Sequence, residues 1–322
     1  MRIIVYGVGA IGGVVAAALA LAGREVVGIA RGGMLDAIRK DGLSLRSSRG
    51  AEQATFECVG SPSEIEFRPD DLIMLTMKGQ DTGAALHALR DAGVREQAIF
   101  CCQNGTENER QALRLFPNVH GVTVMMPATY IQPGRVAIFV EPRFGMFDIG
   151  RYPGGIDDAD RAFAKALEAA NVAAFPMEDV MTSKFGKLIL NLGNIVQAAA
   201  GTGVDTSAIS KRAREEGRAV LDGAGIAYLD IGDNDPRRDE YMRSVKLEGE
   251  TYVGGSTTQS LTRGTGTVET DYLNGEISLI GRLHGIPTPI NDRLTVLSAE
   301  LVGGGKGAGS MSLEELEAYI QG

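Results

Sequence analysis

Short apolar runs rich in β-branched and aromatic residues recur early in the chain, at Arg2–Tyr6, Val26–Ala30, Ala54–Val59, Asp71–Met77 and Gln97–Cys102. Between most of them lie stretches of helix-forming composition, at Gly13–Ala22, Met34–Lys40 and Thr82–Asp91. Strands that alternate with helices form βαβ units and hence a parallel sheet. The run Leu72–Met77 is apolar but for Thr76, as a central strand covered on both faces should be. Strand patterns at Gly121–Met126, Val136–Val140 and Arg143–Ile149 have connections too short for a crossover, which predicts antiparallel pairing. A closing helix follows at Asp160–Ala170. After Glu178 the pattern becomes helical, over Met181–Ala200, Thr206–Ala224, Val268–Leu283, Pro289–Val302 and Leu313–Ile320. The pattern thus predicts an α/β domain over 1–178 and an all-α domain over 179–322.

Composition changes this picture in three places. Ile3–Ala22 carries no charge and imitates a membrane span, but Gly7, Gly9, Gly12 and Gly13 divide it into strand, turn and helix. The net charge of −9 and the absence of a basic run argue against nucleic acid or an anionic membrane as partner. Cys58, Cys101 and Cys102 form no CxxC pair, which fits a reducing, cytoplasmic setting, and no metal is expected. The GGGKGAG segment at Gly303–Gly309 lacks phosphate-loop spacing and a preceding strand, so it reads as a flexible linker.

Gly7-x-Gly9-x-x-Gly12 follows the first strand directly and opens a helix. In that context the first glycine permits the tight turn, the second lets the backbone approach a pyrophosphate, and the third lets helix pack on strand. The turn from Gly7 through Val8, Gly9, Ala10 and Ile11 to Gly12 would place exposed N–H groups against the ligand's negative charge. This makes the first domain a Rossmann-type dinucleotide-binding domain. The second strand ends at Arg31 with no acid before Asp36. A guanidinium there pairs with a 2′-phosphate, so the expected cofactor is NADP(H).

His87, His120 and His284 lack a signalled acidic partner and read as structural, so the proton donor must be sought elsewhere. On the helix pattern near residue 190, Lys184, Lys187, Asn191 and Asn194 fall within an arc of roughly 80°. Leu188, Ile189, Leu190, Leu192, Ile195 and Val196 cover most of the remaining circumference. An otherwise buried helix carries such a stripe only beside partners or a polar cavity, because desolvating it is costly. A lysine there can hydrogen-bond a substrate carbonyl and donate a proton as hydride arrives at carbon. Asn191, one turn on, could hold the lysine or the substrate.

With these residues placed, the chain resembles the ketopantoate reductases (2-dehydropantoate 2-reductases) along nearly its whole length. The resemblance rests on GVGAIGG, on Lys78 in TMKGQDT, and on QNG at Gln103–Gly105. It continues through KLxxN at Lys187–Asn191, the Ser/Thr loop at Ser256–Thr258, and VETDYLNG around Glu269. It implies Lys187 as general acid and Glu269 as a second catalytic group that orients lysine or substrate. It also implies that Asn104, Asn191, Asn194, Ser256 and Thr257 hold substrate, and that Lys78 and Asn104 border the cofactor. Each has a plainer reading: Asn104-Gly105 as a tight turn, Lys78 as a loop charge, Glu269 as a dipole partner just after a Thr265–Thr267 cap. Three positions depart from the family pattern: Ile195 replaces an asparagine, Thr257 a serine, and Leu261 an aspartate.

The implied activity is NADPH-dependent reduction of a 2-oxo acid, with 2-dehydropantoate to (R)-pantoate, a step of pantothenate biosynthesis, favoured. Substrate would lie in the cleft against the helical domain. A β-hydroxyacid dehydrogenase, a reductase of another 2-oxo acid and a non-catalytic NADP(H) sensor are the alternatives. The last helices could close the core or form a homodimer interface.

Overall fold

The computed structural model describes residues 1–232, 235–264 and 267–321. It divides into two compact units, the first formed by Met1–Gln103, Glu107–Met181 and 235–252, the second by Asn104–Thr106, Thr182–Gly232 and 253–321.

The first unit begins β1 (Ile3–Tyr6), α1 (Ala10–Leu21), β2 (Val26–Ile29), α2 (Gly32–Asp41), β3 (Leu43–Ser47), β4 (Gly50–Ala54) and β5 (Glu57–Val59). It continues through β6 (Leu72–Leu75), α3 (Thr82–Asp91), β7 (Ala98–Cys101), α4 (Asn108–Leu113) and β8 (Val119–Met125). Next come β9 (Ala128–Gln132), β10 (Arg135–Ile138), β11 (Val140–Pro142), β12 (Met146–Arg151), α5 (Asp158–Ala169) and β13 (Ala173–Pro176). The main sheet has eight strands in the order β13-β12-β8-β7-β6-β1-β2-β5. It is parallel except between β8 and β12, where Met146 faces Met125 in an antiparallel register. Every residue of β6 is buried, as its unbroken apolar run requires.

Two expected strands are split. Ala54 ends β4 and Glu57 begins β5, so the Ala54–Val59 run serves a second, four-stranded sheet (β4-β3-β10-β9) and the edge of the main one. Val136–Val140 divides likewise, with Ile138 ending β10 and Val140 starting β11. Polar strands such as β4, GAEQA, escape a hydrophobic pattern because edge pairing, not burial, holds them. The small sheet also explains the charge-free segment near the N-terminus. A Cβ at Gly13 would meet Val136 Cγ1 of β10 at 2.9 Å, and Val14–Leu19 are all buried, so α1 is covered on both sides. Among the described residues no helix is long and apolar enough to cross a membrane.

Beyond β13 the chain runs α6 (Val180–Asn191), α7 (Asn194–Ala200), α8 (Ser207–Gly223), α9 (Arg237–Tyr241), β14 (Met242–Ser244) and α10 (Ser256–Thr262). It ends with α11 (Asn274–His284), α12 (Pro289–Gly303) and α13 (Leu313–Gln321). The second unit is helical, around a core that includes Leu188, Leu192, Val196, Ile209, Ile277 and Leu294. The lone strand β14 belongs to the first unit, where it pairs antiparallel with β11. Arg237 fastens this returning segment: Nη1 donates to Asp148 Oδ1 on β12 at 2.6 Å and Nη2 to Asp235 Oδ2 at 2.7 Å. Its guanidinium also lies 4.9 Å over the Phe175 ring.

Gly303–Gly309 is not a loose linker. Gly309 N donates to Ala198 O at 2.9 Å and Met311 N to Ala199 O at 3.0 Å, docking the segment on α7. Without side chains at Gly201 and Gly309, the two backbones can approach this closely.

Candidate active site

The glycine turn has the build a pyrophosphate requires. Gly7 takes φ +105°, and a Cβ there would sit 2.8 Å from Met77 N, so only glycine fits. A Cβ at Gly12 would strike the Gly7 carbonyl and come within 2.5 Å of Thr76 Oγ1, which is how strand and helix close on each other. Gly9 differs: its Cβ would meet nothing nearer than Gly7 O at 4.0 Å, so its face of the turn is open. Gly9 is the N-cap of α1, whose first turn carries no acid and no side-chain cap. The N–H groups of Ala10, Ile11 and Gly12 are therefore the unpaired donors that begin any helix, and they suit an anion. Val8 is buried beneath the turn. Thr76, which sequence reading missed, clamps the loop by donating Oγ1–H to Tyr6 O at 3.1 Å and Gly7 O at 2.8 Å. The sole hint was a hydroxyl closing an apolar strand.

Arg31 is the N-cap of α2 and is exposed. Burial pushes the neighbouring Tyr6 phenol up, while the positive charge of Arg31 opposes that rise, so both side chains lie at the same end of the sheet. No ion pair engages Arg31 among the described residues. Lys78 is half-buried and N-caps the short 3-10 turn Gly79–Asp81 at the carboxyl end of β6, where parallel sheets bind ligands.

The second unit gathers four separate stretches of sequence. Of the lysine and asparagine stripe, Lys184 and Asn191 are buried and Lys187 and Asn194 half-buried, so it is not a solvent face. Asn191 donates Nδ2–H to Asn104 Oδ1 at 3.2 Å, joining the KLxxN helix to the QNG loop. Gly105, at φ +81°, would place a Cβ 2.9 Å from Tyr272 O, so the same loop lies on the segment that begins at Glu269. Glu269 is 8% exposed and N-caps the 3-10 turn Thr270–Tyr272, where a longer helix was expected. Thr265 of the expected cap lies outside the described residues.

The Met181–Ala200 helix proves to be two. It breaks at Leu192–Gly193, where a Cβ on glycine would lie 2.7 Å from Ser210 Oγ of α8. The break separates the stripe. Asn191 turns to Asn104, whereas Asn194, now opening α7, has Oδ1 4.0 Å from the Cβ position of Gly255 at the head of α10. In α10 Ser256 is exposed and Thr257 is 3% exposed. Ile195 and Leu261, two of the departures, are buried in the apolar core of this unit.

His87 and His284 are exposed. His120 is buried and does have acidic company that the sequence did not signal: Nδ1 lies 2.8 Å from Asp160 Oδ1, and the ring stacks on Phe100. Ligand-type atoms of His120, Asp157 and Asp160 lie within 4.8 Å of one another. Arg151 donates to Asp157 at 2.6 Å, however, and Asp160 Oδ2 accepts from Asp157 N, so these carboxylates serve a helix cap.

Residues 3–153 match the family described as Ketopantoate reductase PanE/ApbA, and residues 179–301 match Ketopantoate reductase PanE/ApbA C terminal. A 2-dehydropantoate 2-reductase from Pyrococcus horikoshii is 29% identical over 314 residues, covering 95% of this chain and 99% of that protein. A crystal structure of a PanE/ApbA family ketopantoate reductase from Ralstonia eutropha JMP134 superposes with a TM-score of 0.76 at 29% identity, over 95% of this chain and 99% of that one. A D-mandelate dehydrogenase solved with NADH and anilino(oxo)acetate shares the fold, with a TM-score of 0.78 at 24% identity over 95% of this chain and 99% of that one.

Proposed function

The chain belongs to the ketopantoate reductase family, NADP-dependent oxidoreductases that act on a CH–OH group, and on that premise we propose that it reduces 2-dehydropantoate to (R)-pantoate with NADPH in the cytoplasm. The observation that carries this reading is the meeting of three motifs in one unit: Asn191, one turn from Lys187, bonds Asn104, and Gly105 backs onto Tyr272. Residues 1–178 carry the cofactor and 179–322 the catalytic groups.

Bound NADPH supplies the hydride that reaches C2 of the oxo acid. The open face at Gly9 and the first N–H groups of α1 fit its pyrophosphate, and Arg31 fits the 2′-phosphate. Lys187 hydrogen-bonds the keto oxygen and gives it a proton as the C–H bond forms, leaving a neutral amine that recovers its proton from solvent. Glu269 orients the ammonium, and Asn104, Asn191, Asn194, Ser256 and Thr257 hold the substrate's oxygens. Lys78 would border the bound cofactor.

The test follows NADPH oxidation with ketopantoate, its straight-chain and branched 2-oxo analogues, and 3-oxo acids. Lys187→Ala is expected to lower kcat at least about a thousandfold while leaving NADPH affinity within about twofold. Comparable losses in both would mark a structural lysine, and turnover of 3-oxo acids alone would reassign the chemistry.

A further inference from the structure

Asn274 is buried at the first position of α11 and has no part in the chemistry above, yet its amide is committed to the helix break beside Asn191. In an uninterrupted helix the carbonyls of Leu190 and Leu192 would accept from Asn194 N and Val196 N. Here Arg214 Nη2 donates to Leu190 O at 3.2 Å and Asn274 Nδ2 donates to Leu192 O at 3.0 Å. The other hydrogen of the Asn274 amide goes to Asn291 Oδ1 at 2.9 Å. Asn291 is itself anchored, since its Nδ2 donates to Glu216 Oε1 at 2.8 Å and to Ala213 O at 3.1 Å. A relay of polar groups, half-buried at Glu216 and buried beyond it, therefore runs from Glu216 on α8, through Asn291 on α12 and Asn274 on α11, to the carbonyl that follows Asn191.

We infer that Asn274 is a positioning residue for the reaction: by holding the Leu192 carbonyl it keeps α6 and α7 apart and fixes where Asn191 and Lys187 point. The inference rests on the reading of Lys187 as proton donor. Without the amide, the buried Leu192 carbonyl lacks its donor, and the nearest replacement is Val196 N, which closes the break into a continuous helix. Closing it moves Asn194 from Gly255 into the phase of Asn191 and draws Asn191 off the 3.2 Å bond to Asn104. A shift of about an ångström at such a group is enough to lower turnover on the order of a hundredfold.

Three full-length variants test this. Asn274→Leu is close in volume and has no donor; Asn274→Asp keeps the shape but only accepts. Asn291→Ala removes the far end of the relay and leaves the Asn274–Leu192 bond. Both Asn274 variants should lower kcat with ketopantoate by about 10- to 100-fold, with NADPH affinity unchanged within about twofold. Amide exchange without substrate should change at residues 192–196 in both, and Asn291→Ala should lower the melting temperature yet keep kcat within about threefold. Should Asn274→Leu not fold, Asn274→Asp gives both readouts. Unchanged exchange, unchanged kcat despite altered exchange, or an equal loss of kcat in Asn291→Ala would each overturn the inference. Failure of the Lys187 reading appears separately, as turnover retained in Lys187→Ala, because the exchange pattern is measured on free protein.

Discussion

The three glycines of the first turn should respond to the same methyl group in different ways. In Gly9→Ala the added Cβ meets only Gly7 O at 4.0 Å, an ordinary contact. Folding should therefore be unaffected within about 0.5 kcal/mol. The methyl instead projects into the open face where the pyrophosphate would lie, and lengthens at least one charge-assisted bond from backbone N–H to phosphate. Such a bond contributes about 1.5–3 kcal/mol, so NADPH affinity should fall about 10- to 100-fold. In Gly12→Ala the Cβ would strike the Gly7 carbonyl and lie 2.5 Å from Thr76 Oγ1, and Thr76 is itself held by the turn. Overpacking of that kind costs about 1–3 kcal/mol, a drop in Tm of roughly 2–10 °C for a unit of this size. Fluorescence titration of NADPH and thermal melts separate the cases. If Gly9→Ala binds NADPH within about twofold of the parent protein and melts identically, the turn does not hold the pyrophosphate, and the cofactor assignment of the first unit falls with it.

Two further changes probe charge. Arg31→Ala should weaken NADPH far more than NADH, and an unchanged ratio of their dissociation constants would make Arg31 a surface charge only. Arg237→Met leaves Asp148 and Asp235, each with a side chain 6% exposed, without their cation. It should cost about 3 kcal/mol, the low end for breaking a buried pair because the guanidinium is 30% exposed. Burial tends to raise the Asp235 carboxyl, but hydrogen bonds from Arg237 outweigh it and hold the group below its ordinary value. A lowered carboxyl pKa stabilises the fold above its unfolded value near 3.9, and that contribution is lost as acid titrates the folded group. The parent protein should thus lose stability as pH drops below about 4. In Arg237→Met the Asp235 carboxyl loses the guanidinium but keeps the backbone hydrogen bond of residue 237 and the charge of Arg238, so its acid-dependent contribution should shrink, and an unchanged acid limb of Tm against pH would refute the role of this cluster.

Whatever depended on neighbours in sequence was readable in advance. Gly7 acts through its own φ, Gly12 through contacts with the turn and the adjoining strands and Gly9 by leaving its face open, and Lys187 and Asn191 share a helix one turn apart. The main strands were visible because both faces are buried. Other features hinge on residues far along the chain. Nothing around Leu192 announces that Asn274 will take its carbonyl, so the helix pattern ran through the break. His120 looked solitary because Asp160 lies on another element, and Arg237 in a helical stretch gave no sign of reaching back to Asp148 on a strand.

Hydrophobic period, glycine placement and the stripe on one helix sufficed to call an α/β unit with a dinucleotide turn followed by helices, because each is set by bonds and torsions within a few residues. Which buried carbonyls go unpaired within their own helix, and which distant amide or guanidinium answers them, was left to tertiary structure. Those partners are chosen by desolvation: a polar group taken out of water must find a hydrogen bond wherever the folded chain can supply one.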